Sequence, residues 1–202
     1  MEKKIVLVGG FSEIIELCYE IQFDKVYVID REDVGQNTIY LGCDDNVNIF
    51  FDKVKNIDFC ITPDLPIVRK KIFDNLEKYS FRFPRLLSDT AKISRTAIIN
   101  DGSLVQNGAY ISSNVVLGSF VKVNVNACVM HDSKIGSFTT LAPSCTVLGR
   151  VSIGEMCYIG ASATILPELK ICNNVIIGAG AVVTKDITEC GTFVGVPARK
   201  VK

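Results

Sequence analysis

Every sixth residue from Ile93 to Val183 is aliphatic: Ile93, Ile99, Val105, Ile111, Leu117, Val123, Val129, Ile135, Leu141, Val147, Ile153, Ile159, Ile165, Ile171, Ile177 and Val183. A strict period of six suits neither a helix nor an alternating strand. It suits a parallel β-helix, in which each hexapeptide makes one short side and a corner, and successive coils pair backbone to backbone. Four residues after each aliphatic position stands a small or slim side chain, including Ala109, Ala127, Ser133, Thr139, Cys145, Cys157, Ala163 and Ala181, with Leu169 the one bulky exception. Each buried Ile or Val contributes roughly 1.5–3 kcal/mol, so sixteen in register suffice to drive folding. Gly118, Gly136, Gly154, Gly160 and Gly178 directly follow the aliphatic position. A tight corner there is expected to call for a residue tolerant of unusual backbone angles.

Ahead of the repeat the pattern changes. "KIVLVGG" reads as a buried strand and glycine turn, "SEIIELCYEI" as an amphipathic helix and "KVYVID" as a second strand, which makes a βαβ opening. "IDFCIT" reads as a further strand, "PIVRKKIFDNLEKY" as a helix opening at Pro66, and "FRFPRLL" as a short strand or link. The expected fold is therefore an α/β, Rossmann-like domain over residues 1–85 and a β-helix of about five coils over 86–202. The tail "TKDITECGTFVGVPARKVK" leaves the period, as a cap closing the last coil must.

Composition narrows the function. Basic and acidic residues balance at 22 each, so no whole-chain field draws the protein to nucleic acid or to an anionic membrane. The apolar run in "MEKKIVLVGG" is too short for a signal peptide or a membrane span, which points to the cytoplasm. The eight cysteines are scattered, never spaced as CxxC, and read as reduced core residues. One histidine, His131, stands in the whole chain, too few imidazoles for a zinc site of the hexapeptide-repeat carbonic anhydrase kind, so no metal is expected.

His131 lies two residues after the inward Val129 and so projects outward, followed at once by Asp132 and preceded by Asn124. Taken alone, these are equally an exposed histidine, a turn carboxylate and a corner asparagine.

The runs "NVNACVMHDSKIGSF", "IGASATI", "VIIGAGAVVTKDI" and "FVGVPARKV", behind a βαβ opening, resemble the sugar O-acyltransferases of the sialic acid O-acetyltransferase family. That family includes N-acetyltransferases acting on nucleotide-linked 4-amino sugars. The resemblance implies a left-handed β-helix and acetyl-CoA as acyl donor. It makes His131 the general base for the attacking amine or hydroxyl, a task suited to an imidazole whose ordinary pKa is about 6.5. Asp132 would orient the ring, and Asn124 would contact the sugar near the acceptor group. The Ala142 N–H would be a donor to the acyl oxygen; Thr140 stands where some relatives place a second histidine, and its hydroxyl would be another. Gly160, Ala161, Gly178 and Ala179 would border the pantetheine arm, with Lys185, Arg199 and Lys200 near the CoA phosphates. In the first domain the resemblance implies a nucleotide sugar against Gly9, Gly10, Phe11 and Ser12, with Asp30 meeting a base or ribose hydroxyl. Glu13 speaks against a tight diphosphate contact at that turn. A homotrimer with active sites between subunits is also implied.

Three functions remain in view: an N-acetyltransferase for a nucleotide-activated 4-amino sugar, an O-acetyltransferase for sialic acid or a related hydroxyl, and a non-catalytic β-helix scaffold.

Overall fold

A computed structural model describes residues 2–35, 37–43 and 47–201; Met1 and Lys202, the outer ends of the two expected domains, lie outside them. The chain begins with β1 (Lys4–Val8), α1 (Ser12–Glu20) and β2 (Lys25–Ile29), followed by β3 (Ile39–Gly42), α2 (Val47–Val54), β4 (Asp58–Ile61) and α3 (Pro66–Leu76). The four strands form one parallel sheet in the order β3-β2-β1-β4. Near-continuous apolar runs such as Ile5 to Val8 form β1 because helices and the second domain cover both sheet faces. The sequence reading missed β3 and α2. β3 is an edge strand of four residues with no apolar alternation, and α2 spans only eight.

From Leu86 the chain winds as three flat parallel faces, an arrangement that fits the left-handed hexapeptide-repeat β-helix. Face one stacks Leu86–Leu87, Leu104–Val105, Lys122–Val123, Thr140–Leu141, Tyr158–Ile159 and Val175–Ile177. Face two stacks Lys92–Ile93, Tyr110–Ile111, Cys128–Val129, Thr146–Val147, Thr164–Ile165 and Val182–Val183. Face three runs from Ile98–Ile99 to Lys170–Ile171. Up to the last coil each rung pairs with the residue eighteen positions on, as Val129 with Val147, and the six-residue aliphatic positions fill one continuous core. At the end, Gly191–Val194 pairs with Val175–Ile177 and Arg199–Lys200 turns back antiparallel, which covers the last edge.

The corner chemistry differs from the sequence expectation. The left-handed residue sits three positions after the aliphatic one: Asn114, Phe120, Asn126, Asp132, Phe138, Ser144 and Arg150 all have φ of 56–60° or slightly above, up to 62° at Asp132. The glycines directly after the aliphatic position serve a different need, close approach of the next coil. A Cβ at Gly136 would stand 2.5 Å from the Glu155 nitrogen, and one at Gly160 would stand 2.6 Å from the Ala179 nitrogen.

The domains share a core. Phe120 and Phe138, both left-handed, stack at 5.0 Å and meet Phe73 of α3 at 4.7 and 5.8 Å. An aromatic in the left-handed region costs about 1–2 kcal/mol, offset here by burying two rings against α3. Four of the cysteines, Cys18, Cys60, Cys145 and Cys157, are buried as expected, and burial pushes the thiols of Cys60 and Cys145 up to about 12. Cys190 is exposed.

Candidate active site

Two corners of the coil carry the polar residues. The first, between faces one and two, holds residues 106–109, 124–127, 142–145, 160–163 and 178–181; the second, after face two, holds 112–115, 130–133 and 148–151.

His131 stands on the second corner with its side chain 44% exposed, pointing outward while Val129 is fully buried. Its Nδ1 lies 2.8 Å from Asp132 Oδ2. Asn114, one coil above, donates to Asp132 Oδ1 at 3.0 Å. The Asn114 amide first, and His131 second, hold the Asp132 carboxyl below the usual carboxylate range. An ionised carboxylate only accepts hydrogen bonds, so Nδ1 is the nitrogen that carries the proton in the neutral ring, and in that tautomer Nε2 presents the lone pair. The ring lies across Gly149 of the coil below, where a Cβ would stand 2.7 Å from Nε2. Sequence reasoning missed Asn114 and Gly149. Both sit eighteen residues from the pair they hold, a spacing that the repeat itself offers as a signal.

The first corner is built differently. Asn124 is buried, and its Nδ2 donates to Asp64 Oδ1 at 3.2 Å. Lys122, 1% exposed, places Nζ 2.9 Å from the same oxygen and donates to the Thr62 carbonyl at 2.8 Å. Arg69 of α3, equally buried, has no carboxylate partner among the described residues and donates to carbonyls and one hydroxyl instead. Its acceptors are the carbonyls of Pro63, Asp64 and Phe138 at 2.7, 2.8 and 2.6 Å, and Thr140 Oγ1 at 2.8 Å. Burial pulls its guanidinium down to about 10, which still leaves it charged at neutral pH. Asp64, Arg69 and Lys122 were also absent from the sequence reading, since a buried lysine on a β-helix side is legible only once the first domain covers it.

That cover corrects two expectations. Thr140 is fully buried and its hydroxyl donates to the Asp64 carbonyl at 2.5 Å, so it is not free for an acyl oxygen. The Ala142 N–H donates to the Ile159 carbonyl at 2.9 Å within the coil ladder.

The glycine turn is corrected likewise. The Gly9 N–H goes to the Ile29 carbonyl and the Gly10 N–H to Asp30 Oδ2 at 2.7 Å, while Asp30 Oδ1 accepts from the Arg31 nitrogen. The protein's own acid therefore fills the would-be phosphate cradle. A Cβ at Gly9 would stand 2.3 Å from Thr62 Oγ1, and one at Gly10 would stand 2.5 Å from Val34 Cγ1, so packing alone accounts for both glycines. Ser12 opens α1, and the exposed Phe11 ring lies 5.4 Å from Lys122 Nζ, at the carboxyl ends of β1 and β4 where the strand order reverses.

Gly160, Ala161, Gly178 and Ala179 continue the Asn124 corner toward the C-terminus. Lys185, Arg199 and Lys200 converge on one pocket of about 180 Å³ beside Thr184 and Phe193, although Lys200 is paired with Glu189 at 2.8 Å. Within one chain His131 does not meet this column. A full side of the triangle, Cys128–Val129, separates the two corners. Among the described residues no group of three or more His, Cys, Asp or Glu could hold a metal ion, and no helix is long and apolar enough to cross a membrane.

Residues 150–185 match the model for the bacterial transferase hexapeptide (six repeats). That stretch is a hexapeptide transferase repeat. Over the whole chain the protein is similar to the acetyltransferase domain of PglB from Neisseria gonorrhoeae FA1090, solved with acetyl coenzyme A. The TM-score is 0.92 and the identity 26%, with 100% of each chain covered. WeeI from Acinetobacter baumannii AYE matches at TM-score 0.86 and 26% identity, over 98% of this chain and 100% of that one. PerB from Caulobacter crescentus, solved with CoA and GDP-perosamine, shares the fold at TM-score 0.92 and 23% identity, over 100% of this chain and 99% of that one. None of the curated proteins matches the sequence.

Proposed function

We propose that the protein is a sugar acetyltransferase that moves the acetyl group of acetyl-CoA to the amine of a nucleotide-activated 4-amino-dideoxy sugar, in the cytoplasm, as a homotrimer of the sialic acid O-acetyltransferase family. The observation that carries this reading is the Asn114–Asp132–His131 chain, which aims Nε2 away from its carboxylate partner on a rigid corner. The whole-chain likeness to an acetyltransferase domain solved with acetyl coenzyme A supports the donor.

As the sugar nitrogen attacks the thioester carbonyl, His131 Nε2 accepts its proton, and Asp132 stabilises the imidazolium that forms. Collapse of the tetrahedral intermediate expels the CoA thiolate, to which the imidazolium returns the proton. The small residues Gly160, Ala161, Gly178 and Ala179 would let the pantetheine arm lie close to the backbone. Lys185 and Arg199 at the last coil suit its phosphates. Because His131 and this column occupy different corners, a complete site needs His131 of one subunit beside the first corner of the next. The first domain is read as a Rossmann-like binder of the nucleotide, with Phe11 and Asp30 at the strand ends; the occupied Gly9–Gly10 turn directs the diphosphate elsewhere.

The test is CoA release from acetyl-CoA with UDP-, dTDP- and GDP-linked 4-amino sugars and free sialic acid, for wild type and His131→Ala. Turnover on an amino sugar that collapses in the variant supports the reading. Turnover on sialic acid alone converts it to O-acetylation, and equal rates in both proteins remove His131 as the base.

A further inference from the structure

Asp64 is held more firmly than a surface carboxylate requires. Its carbonyl accepts from Arg69 Nη1 and Thr140 Oγ1, and its Oδ1 accepts from Lys122 Nζ and Asn124 Nδ2. Four donors from α3 and two coils thus fix one residue whose side chain is still 45% exposed. Two of the donors are charged side chains buried to 1% exposure, and burying a charge is costly unless its partner is fixed. Oδ2 has no protein partner among the described residues. One coil above Asn124, in the same corner column, Gln106 is 3% exposed. Its Oε1 accepts from the Val125 nitrogen at 3.1 Å, and its Nε2 is buried without a hydrogen-bond partner. A buried, unmade hydrogen bond of this kind costs about 1–3 kcal/mol, and an incoming ligand oxygen would remove that cost.

We propose that Asp64 and Gln106 are the acceptor-recognition pair of this enzyme. Asp64 Oδ2 takes a hydrogen bond from an O–H or N–H of the sugar beside the attacked position, and Gln106 Nε2 donates to an oxygen of the same ligand. Lys122, which holds the carboxylate, and Arg69, which holds the backbone carbonyl of the same residue, act as positioning residues. The inference rests on the acetyltransferase reading above and deepens it. The first corner recognises the acceptor, and the second supplies the base.

The experiment is titration calorimetry of UDP-, dTDP- and GDP-linked 4-amino-4,6-dideoxy sugars into the full-length protein without acyl donor, paired with steady-state kinetics. Asp64→Asn keeps the shape and replaces the oxygen by a donor. It is expected to weaken acceptor binding and raise its KM about 10- to 100-fold, with kcat and the KM for acetyl-CoA close to wild type. Gln106→Met removes the orphan donor together with the acceptor of the Val125 nitrogen; it is expected to melt slightly lower than wild type and to bind the acceptor more weakly, with the KM for acetyl-CoA unchanged. Unchanged acceptor affinity in both variants, or a loss confined to kcat, overturns the proposal. Should Asp64→Asn fail to fold, deoxy analogues of the sugar tested on wild type decide: at least one ring position must lose affinity, and if none does the proposal falls. A wild-type protein that binds nucleotide sugars but transfers no acetyl group overturns the proposed activity alone, and the calorimetry of Asp64→Asn still judges the pair.

Discussion

The two polar corners of the coil are held in opposite ways. At the His131 corner the contacts come from the repeat: Asn114 one coil above and Asp132 adjacent, both exposed, and Gly149 one coil below. At the Asn124 corner the hold on the asparagine comes from sixty residues away, through the half-exposed Asp64, which Lys122 and Arg69 fix from the buried side. The first arrangement is as rigid as the coil stack and independent of the first domain. The second exists only while that domain is docked. A base needs fixed geometry, whereas a recognition surface can be altered by changing a docked loop, and the chain keeps the two apart.

The sharpest way to break the His131 corner is to remove its proposed base: His131→Ala is expected to lower turnover by about 10²–10⁴, measured as CoA release, with melting temperature nearly unchanged because the side chain is 44% exposed. The sharpest way to break the Asn124 corner is Arg69→Met. It strips the Pro63, Asp64 and Phe138 carbonyls and Thr140 of a shared donor and should cost about 2–4 kcal/mol in denaturant unfolding. It should raise the acceptor KM while sparing the KM for acetyl-CoA; loss of both equally would mean that the corners are not independent. Gly149→Ala sharpens the contrast, since its methyl group must displace the His131 ring tip. Turnover should fall roughly 10- to 100-fold with little loss of stability, and an unchanged kcat would show that the ring is not held by that coil.

The smallest effect is one of pH. Glu20 of α1 accepts from Ser88 Oγ, Asn107 Nδ2 and the Asp89 nitrogen, which joins the domains. Those bonds, Ser88 first, hold its carboxyl below the ordinary 4.5. A lowered folded pKa means that the stabilisation is complete above the unfolded value and is lost as pH falls through the folded one. Wild type should therefore lose slightly more stability on acidification below about pH 4.5 than Glu20→Gln, a difference that thermal melts across that range would reveal.

The β-helix was legible because its core is periodic: Ile99 to Val183 on the six-residue step are buried by coil stacking alone. His131 and Asp132 were legible for the same reason, since two residues after an inward position is outward on any coil. The covered face was not. Lys122, Thr140 and Phe120 lie off the six-residue core positions, and only the docking of the first domain makes them a buried interface. The left-handed position was misassigned to the glycines because a close approach and a positive φ both select glycine; Phe120 and Phe138 hold that position through tertiary packing.

The eighteen-residue coil also works as a ruler. On face two, Cys128–Val129 carries the base's rung, and Val182–Val183, next to the Lys185 pocket, lies three rungs below it. At about 4.8 Å per rung, the two are separated by about 14 Å. Inserting or deleting one whole coil between them would preserve every local contact and change that span by one graduation. On the proposed reading, the span from base to phosphate pocket is thus a length counted in coils rather than written in side chains.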